Sequence, residues 1–485
     1  MKYCYSIFIL FLAMRIAAQQ PFRYIVSADG SGDFTTIQAA INACPEGEQS
    51  VIFIKNGTYN EQVTIGSKTV VSTKRISLIG ENPDSVLITH TQSRASSGSP
   101  TFEDVCTLKL YTSDFYAENI TVQNAAGNTG MAEALYTAAD RQTFKNCHVL
   151  GYQDTYRSKK GTRGYFKKCL VQGAVDFIYA GGVEFFDSCR INCVKGGGYI
   201  VAPEDAYVTI PKTSTVCQKF LRVGFFFTNC DITANSDVPA NSFYLGRPWV
   251  SYAGAFYINC RLGSHINPAG WMAWGVNETT SSCFAEYNSC DLNGVPVDTT
   301  KRVSWSFQLP KTDVDNLLGA NNIYARVSTV PYDPFTLCVA PGVPQSVDLT
   351  GTTLGWQPVT NATGYVVMKN GRYFASTTNT NYTDNSGISG QYSVKAVGPN
   401  GQLSAAGSVI TGLSQINKQF FQFINKQGIL EFNTPVTLTV YTPAGEKIRE
   451  FSRSESFNLN ELTKGVFLIQ VSSENGISAF YKIIN

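Results

Sequence analysis

Two aspartates, Asp154 and Asp176, occupy the same place in two consecutive sequence phrases. A pair of carboxylates is enough for acid–base or nucleophilic chemistry. The shared phrase is an aromatic, two polar residues, a cysteine and an apolar strand, as in Phe144 to Val149 and Phe166 to Val171. Cys147 and Cys169 are 22 residues apart, and so are the aspartates. A repeat of roughly 20 to 45 residues marks a solenoid whose coils stack on their neighbours. Residues one coil apart then lie about 4.7–4.9 Å from each other along the stack. Two carboxylates that close cannot both ionise at the usual aspartate pKa of about 3.9, so one becomes an acid and the other a base or nucleophile.

The elements that must hold this pair are short strands between turn signals. SVIFIKNGTYNE, VSTKRISLIGE, SVLITH and CTLKLYTSDFYAENITVQN run towards the pair, interrupted by a hydrophilic segment from Thr91 to Thr101 that reads as a surface loop. Six cysteines, Cys147, Cys169, Cys189, Cys230, Cys260 and Cys290, follow the same aromatic phrase. A side chain at one place in every coil reads as a buried ladder of free thiols rather than a disulfide framework, although thirteen cysteines in an exported chain would invite one. Ahead of the coils, Thr35 and Gln38 have capping-box spacing on a helix that turns Ile37, Ala40 and Ile41 inward and caps the stack. The repeats fade after Asp291, and residues 300 to 337 read as an irregular tail packing back along the solenoid.

Residues 1–18 read as a secretory signal, with Lys2, the apolar run Ile7 to Met14 and small residues Ala17 and Ala18. That run is shorter than the ~20 residues needed to span a bilayer, and no later stretch supplies a transmembrane segment. Lys plus Arg number 38 against 36 Asp plus Glu, which leaves no electrostatic footprint for nucleic acid. The chain has three histidines, no paired CxxC and no GxSxG elbow, so neither a metal nor a catalytic serine is expected, and no cofactor is.

Four motifs carry a resemblance to the pectinesterases, the pectin methylesterase family: GTYNE (Gly57 to Glu61), GYQDT (Gly151 to Thr155), VDFIYA (Val175 to Ala180) and LGRPW (Leu245 to Trp249). The resemblance covers residues 22 to about 335 and implies a right-handed parallel β-helix over residues 19–337, with a substrate cleft on one long face. It implies Asp176 as nucleophile, Asp154 as general acid and base, Gln153 as oxyanion donor, Arg247 as the guanidinium that keeps Asp176 ionised, and Trp249 as an aromatic of the sugar cleft. Val175, Phe177 and Tyr179 frame Asp176 and are candidates for substrate contact, with a core stack as the alternative for Phe177 and Tyr179. The implied reaction is demethylation of methyl-esterified homogalacturonan (pectin) through an aspartyl acyl-enzyme. A pectin-binding β-helix without activity and a backbone-cleaving enzyme of the same fold are the alternatives.

Several positions depart from the family. Met131 replaces a second oxyanion glutamine and Tyr136 an arginine, Tyr156 stands for leucine, Arg157 for tyrosine and Ala180 for glycine. Glu133 in the Met131 segment has no evident role.

After a Pro/Gly linker at 339–344, residues 338–412 carry Trp356 and the strands GYVVMKNG and QYSVKAVGPNG, which resemble a fibronectin type III β-sandwich. Residues 413–485 alternate apolar and polar side chains and resemble the C-terminal sorting domain of the type IX secretion system. The expected fold is therefore all-β, a parallel β-helix followed by two small β-sandwich domains. The expected location is secreted or at the cell surface, with secretion machinery engaged through the C-terminal domain.

Overall fold

A computed structural model describes residues 20–98, 101–205, 224–275, 278–318, 322–325, 327–386, 390–408, 423–426, 429–442, 446–458, 461–462, 466–473 and 478–484. The expected signal, residues 1–18, lies outside the described residues.

The aromatic-x-x-Cys phrase is a corner. In Phe144 to Cys147 the ring of Phe144 turns into the core, Asn146 takes a left-handed φ of 50°, and Cys147 enters the interior at the head of the next strand. Lys168, Ser188, Asn229 and Asn259 repeat this conformation with φ of 52°, 53°, 53° and 53°. Asparagine tolerates it best among residues with a Cβ. It also gains a partner here, since Asn146 Nδ2 donates to Asn119 Oδ1 of the preceding coil at 2.7 Å.

Repeating the corner builds a parallel β-helix. Among the described residues its three parallel sheets hold eleven, seven and nine strands, each pairing with the strands one coil before and after. Register is strict: Phe144 pairs with Phe166, Phe166 with Phe186, Phe186 with Phe227 and Phe227 with Tyr257. The rings therefore stack, with centroids 4.6 Å apart for Phe144 and Phe166 and 4.7 Å for Phe186 and Phe227. Such pairs add about 0.5–1.5 kcal/mol beyond the area they bury. The cysteine ladder runs alongside: Cys147, Cys169, Cys189, Cys230 and Cys260 are free and buried, and Cys290 is free but partly exposed. Burial pushes the Cys147, Cys189 and Cys260 thiols well above their usual range, so they behave as small apolar groups. Cys283, outside the phrase, is disulfide-bonded.

The helix Ile37–Ala43 lays Ile37, Ala40 and Ile41 into the core at the first coil, as its pattern predicts. Its cap lies one residue later than the Thr35 and Gln38 spacing suggests. Thr36 accepts from Ala39 N, while Glu61 of GTYNE accepts from Ile37 N at 2.8 Å and Gln38 N at 3.0 Å. The GTYNE glutamate thus caps a helix. The segment expected as loop at 91–101 contains the short helix Arg94–Ser97, because Ser93 and Ser96 form a capping box. The tail beyond residue 300 is likewise less irregular than expected, with helices at Lys311–Leu318, Asn322–Ala325 and Pro334–Leu337. Tyr324 and Tyr332 donate to the carbonyls of Gly164 and Gln142 at 2.7 and 2.9 Å, which fastens the tail along the eleven-stranded sheet.

Residues 342–396 and 404–485 form a second compact unit. The strand pairs described in it are antiparallel. One core gathers Leu354, Trp356, Tyr365, Val367, Tyr392 and Val394, and another gathers Phe432, Leu438, Val440, Ile469 and Val471.

Truncating one ring of the inner stack tests this account of the core. Phe166→Ala should lower the stability of the β-helix by about 3–5 kcal/mol, read from its transition in chemical denaturation. A loss below about 1 kcal/mol would mean that the stack does not hold the coils together.

Candidate active site

The site is built on the seven-stranded sheet. Its strand Val175–Ala180 pairs with Tyr156–Ser158 on one side and Tyr199–Pro203 on the other. Asp154 and Asp176 both take left-handed φ, 60° and 46°, so the repeat of 22 residues corresponds to a repeated conformation. A left-handed residue breaks the in-out alternation of a strand. Here the ladder register shifts between Val175 and Ile178. Phe177 and Ile178 consequently both join the core, and the Asp176 carboxyl is left to meet Arg247 from the strand turn two coils on.

Phe177 is fully buried, which corrects the expectation that it contacts substrate. Its Cβ occupies the space where a side chain at position 173 would begin: a Cβ on Gly173 would lie only 2.2 Å away, so glycine alone fits there. Val175 is half-buried and bridges Gln153 through the backbone, as Gln153 in turn bridges Met131. Gln153 is half-buried, and the neighbouring place holds Met131, which has no hydrogen to donate to an oxyanion.

Arg247 engages Asp176 with both arms of its fork, Nε to Oδ1 at 3.0 Å and Nη2 to Oδ2 at 2.6 Å. The guanidinium lies between two rings, 3.8 Å from the Tyr199 centroid and 4.0 Å from that of Trp274. Each such contact is worth about 0.5–2 kcal/mol, and together they fix the plane of the fork.

Both aspartates hold their protons more tightly than free aspartate. Burial raises the Asp176 pKa, and the Arg247 hydrogen bonds and charge oppose that without cancelling it. Arg247 therefore restrains the shift instead of setting it alone. Asp154 has no such partner and is pushed up to about 8, first by burial, then by Glu133, then by Asp176. Asp176 thus ionises first, and its charge helps to keep the proton on Asp154.

Tyr179 is 4 % exposed and donates to Glu133 Oε1 at 2.6 Å, so it is a buried link across two coils more than an open sugar platform. The exposed aromatic edge is formed by Trp249 and Trp274, with ring centroids 6.5 Å apart, and Met272, close to Trp274 in the chain, is also exposed. Trp249 is legible in its motif. Trp274 and Tyr199 are not, because they stand in no recognisable phrase and reach Arg247 only through the stacking of coils. Arg157 and Tyr136 are directly paired in register, with the guanidinium 4.7 Å from the ring. Tyr136 and Arg157 thus form one cation–π pair across adjacent strands. Ala180, in place of glycine, carries a left-handed φ of 77° and the strain that a Cβ brings there.

Comparison with known proteins agrees with this architecture. A family model described as Pectinesterase matches residues 23–319. Pectinesterase 2 of Citrus sinensis is 33% identical over 324 residues, covering 64% of this chain and 59% of its own length. The solved pectin methylesterase from carrot superposes with a TM-score of 0.56 at 28% identity, covering 64% of this chain and 97% of that one. A pectin methylesterase solved in complex with a hexasaccharide gives a TM-score of 0.50 at 25% identity, covering 64% of this chain and 98% of that one. The chain spans about half the length of the curated relatives it matches first.

The Arg247 fork generates a prediction with a definite sign. Without it burial acts unopposed, so in Arg247→Ala the acidic limb of the site's pH–rate profile should rise by about one to three pH units. Arg247→Lys keeps the charge, loses the fork and should fall between the two. An acidic limb that stays in place in the alanine variant would refute the pairing as the control on Asp176.

Proposed function

The chain belongs to the pectinesterase family, and from that premise we propose that it hydrolyses the methyl esters of homogalacturonan, giving pectate and methanol. The observation that carries this reading is the pair Asp154 and Asp176 in one conformation one coil apart, with only Asp176 held by a guanidinium.

In this mechanism the ionised Asp176 attacks the ester carbonyl carbon. The electron pair moves to the carbonyl oxygen, where Gln153 donates a hydrogen bond, a contact worth about 3–4 kcal/mol in comparable oxyanion holes. The C–O bond to the methoxy group then breaks, and Asp154 gives its proton to the departing oxygen, releasing methanol and leaving an acyl-aspartate anhydride. Asp154, now a carboxylate, takes a proton from water as the water attacks the acyl carbon. The galacturonic acid carboxyl leaves and gives its proton to the solvent, Asp176 is regenerated as a carboxylate, and Asp154 is protonated again. Met131 removes one oxyanion donor, so the stabilisation rests on Gln153 and turnover is expected to be lower than with two donors. Trp249 and Val175 serve as sugar contacts in this reading, together with Trp274. A pectin methylesterase of similar fold has been solved in complex with a hexasaccharide, which supports an oligosaccharide as the kind of ligand in this reading.

We further infer that residues 338–412 are a fibronectin type III-like module and that residues 413–485 direct type IX export after a signal at 1–18. The antiparallel pairing in the second compact unit supports this reading. Among the described residues no helix is long and apolar enough to cross a membrane.

Methanol release from highly methylated pectin tests the activity: wild type should release it, and Asp176→Ala should lose at least about a thousandfold, as expected for removal of a nucleophile. Loss of chain length without methanol would point instead to backbone cleavage, and an inert wild type to a binding module. A chain ending at residue 412 should keep its methanol release yet fail to reach the cell exterior in its native host. Normal export of that truncation would overturn the sorting role.

A further inference from the structure

We propose that Glu133 is a positioning residue that sets how firmly Asp154 holds the proton it gives to the leaving group, an inference that rests on Asp154 being the general acid.

The backbone puts Glu133 and Asp154 face to face. Ala132 N donates to the carbonyl of Gln153 at 3.2 Å and Ala134 N donates to that of Thr155 at 2.8 Å, so the residues on either side of Glu133 bond to the residues on either side of Asp154. Glu133 is 1 % exposed. Tyr179 OH reaches back to its Oε1 at 2.6 Å, and its Oε2 is buried with no hydrogen-bond partner among the described residues. A carboxyl placed like this costs stability unless it is protonated or has work to do. The flanking residues Ala132 and Ala134 are small and buried, so the carboxyl stands in an otherwise apolar stretch, with the Tyr179 hydroxyl as its hydrogen-bond donor.

The groups around it define its effect. Asp154 faces Glu133 and Asp176, which favour its protonated form, and Arg157 and Arg247, which oppose them. Glu133 faces Tyr179, Arg157 and Glu103, with Cys106 and Tyr136 also within its field. Arg157 divides its attention, lying 3.6 Å from Glu103 and over the rings of Phe102 and Tyr136. Burial raises Glu133 to about 7, so around neutrality it carries part of a charge beside Asp154. That charge disfavours a second one on Asp154 and extends the acid form of Asp154 towards alkaline pH. The acid limb belongs to Asp176 and the alkaline limb of kcat/KM to Asp154, so Glu133 acts on the alkaline limb.

The test is the pH dependence of kcat/KM for methanol release in wild type, Glu133→Gln and Tyr179→Phe. Glutamine keeps the shape and an acceptor for Tyr179 but has no charge, so the alkaline limb should fall by about one pH unit. Tyr179→Phe removes the bond that favours ionised Glu133, makes Glu133 easier to protonate, and should move the same limb the same way by a smaller amount. It decides the matter if Glu133→Gln does not fold. A merely structural role would lower the profile at every pH without moving the limb. An alkaline limb unmoved in the folded variants overturns the proposal while leaving the esterase reading intact, whereas a wild type that releases no methanol sinks the esterase reading itself.

Discussion

The bidentate contact between Arg247 and Asp176 is the interaction on which the site depends. Asp176 is a carboxylate that the fold has taken out of water, and a buried charge of this kind is retained only if something nearby repays its lost hydration. Arg247 does so in part, and it can because Tyr199 and Trp274 hold its plane from both faces. Removing one member of a buried pair typically costs about 3–5 kcal/mol, since the other is left uncompensated. The placement of Asp176 is thus distributed over four successive turns of the helix, and no single strand specifies it.

That distribution is possible because the parallel β-helix converts sequence separation into short distance. Asp154 and Asp176 share one backbone conformation, yet their surroundings differ: one meets a guanidinium, the other two carboxyls. Identical residues come to hold their protons with different strength through their neighbours alone. The inner stack of rings and the column of thiols supply the rigid register this requires, for a slip of one residue would turn the carboxyls towards the core.

Much of this is legible in the sequence, for physical reasons. The corner between sheets needs a left-handed residue between an inward ring and an inward cysteine, so the phrase has to recur, and its recurrence reveals both the solenoid and the equivalence of the aspartates. Arg247 and Trp249 are legible through their motif. Phe177 is misassigned because it adjoins Asp176 in the motif; it packs in the core together with Ile178, where the ladder register shifts. Trp274, Tyr199 and the Glu133 contact with Tyr179 cannot be read at all, since they depend on coils of unequal length coming into register. Tyr136 and Arg157 look like independent positions in the sequence, and only their register shows them as one pair.

The different proton affinities of two equivalent aspartates rest on environment alone. The most direct measurement is a carbon-13 NMR titration of the aspartate carboxyls in the unliganded protein, with the two resonances assigned by Asp154→Asn and Asp176→Asn. Asp176 should ionise first and be charged at neutral pH, while Asp154 remains largely protonated until about pH 8. If Asp154 lost its proton first, or if the two titrated together near the usual aspartate value, the division of roles described here would be contradicted.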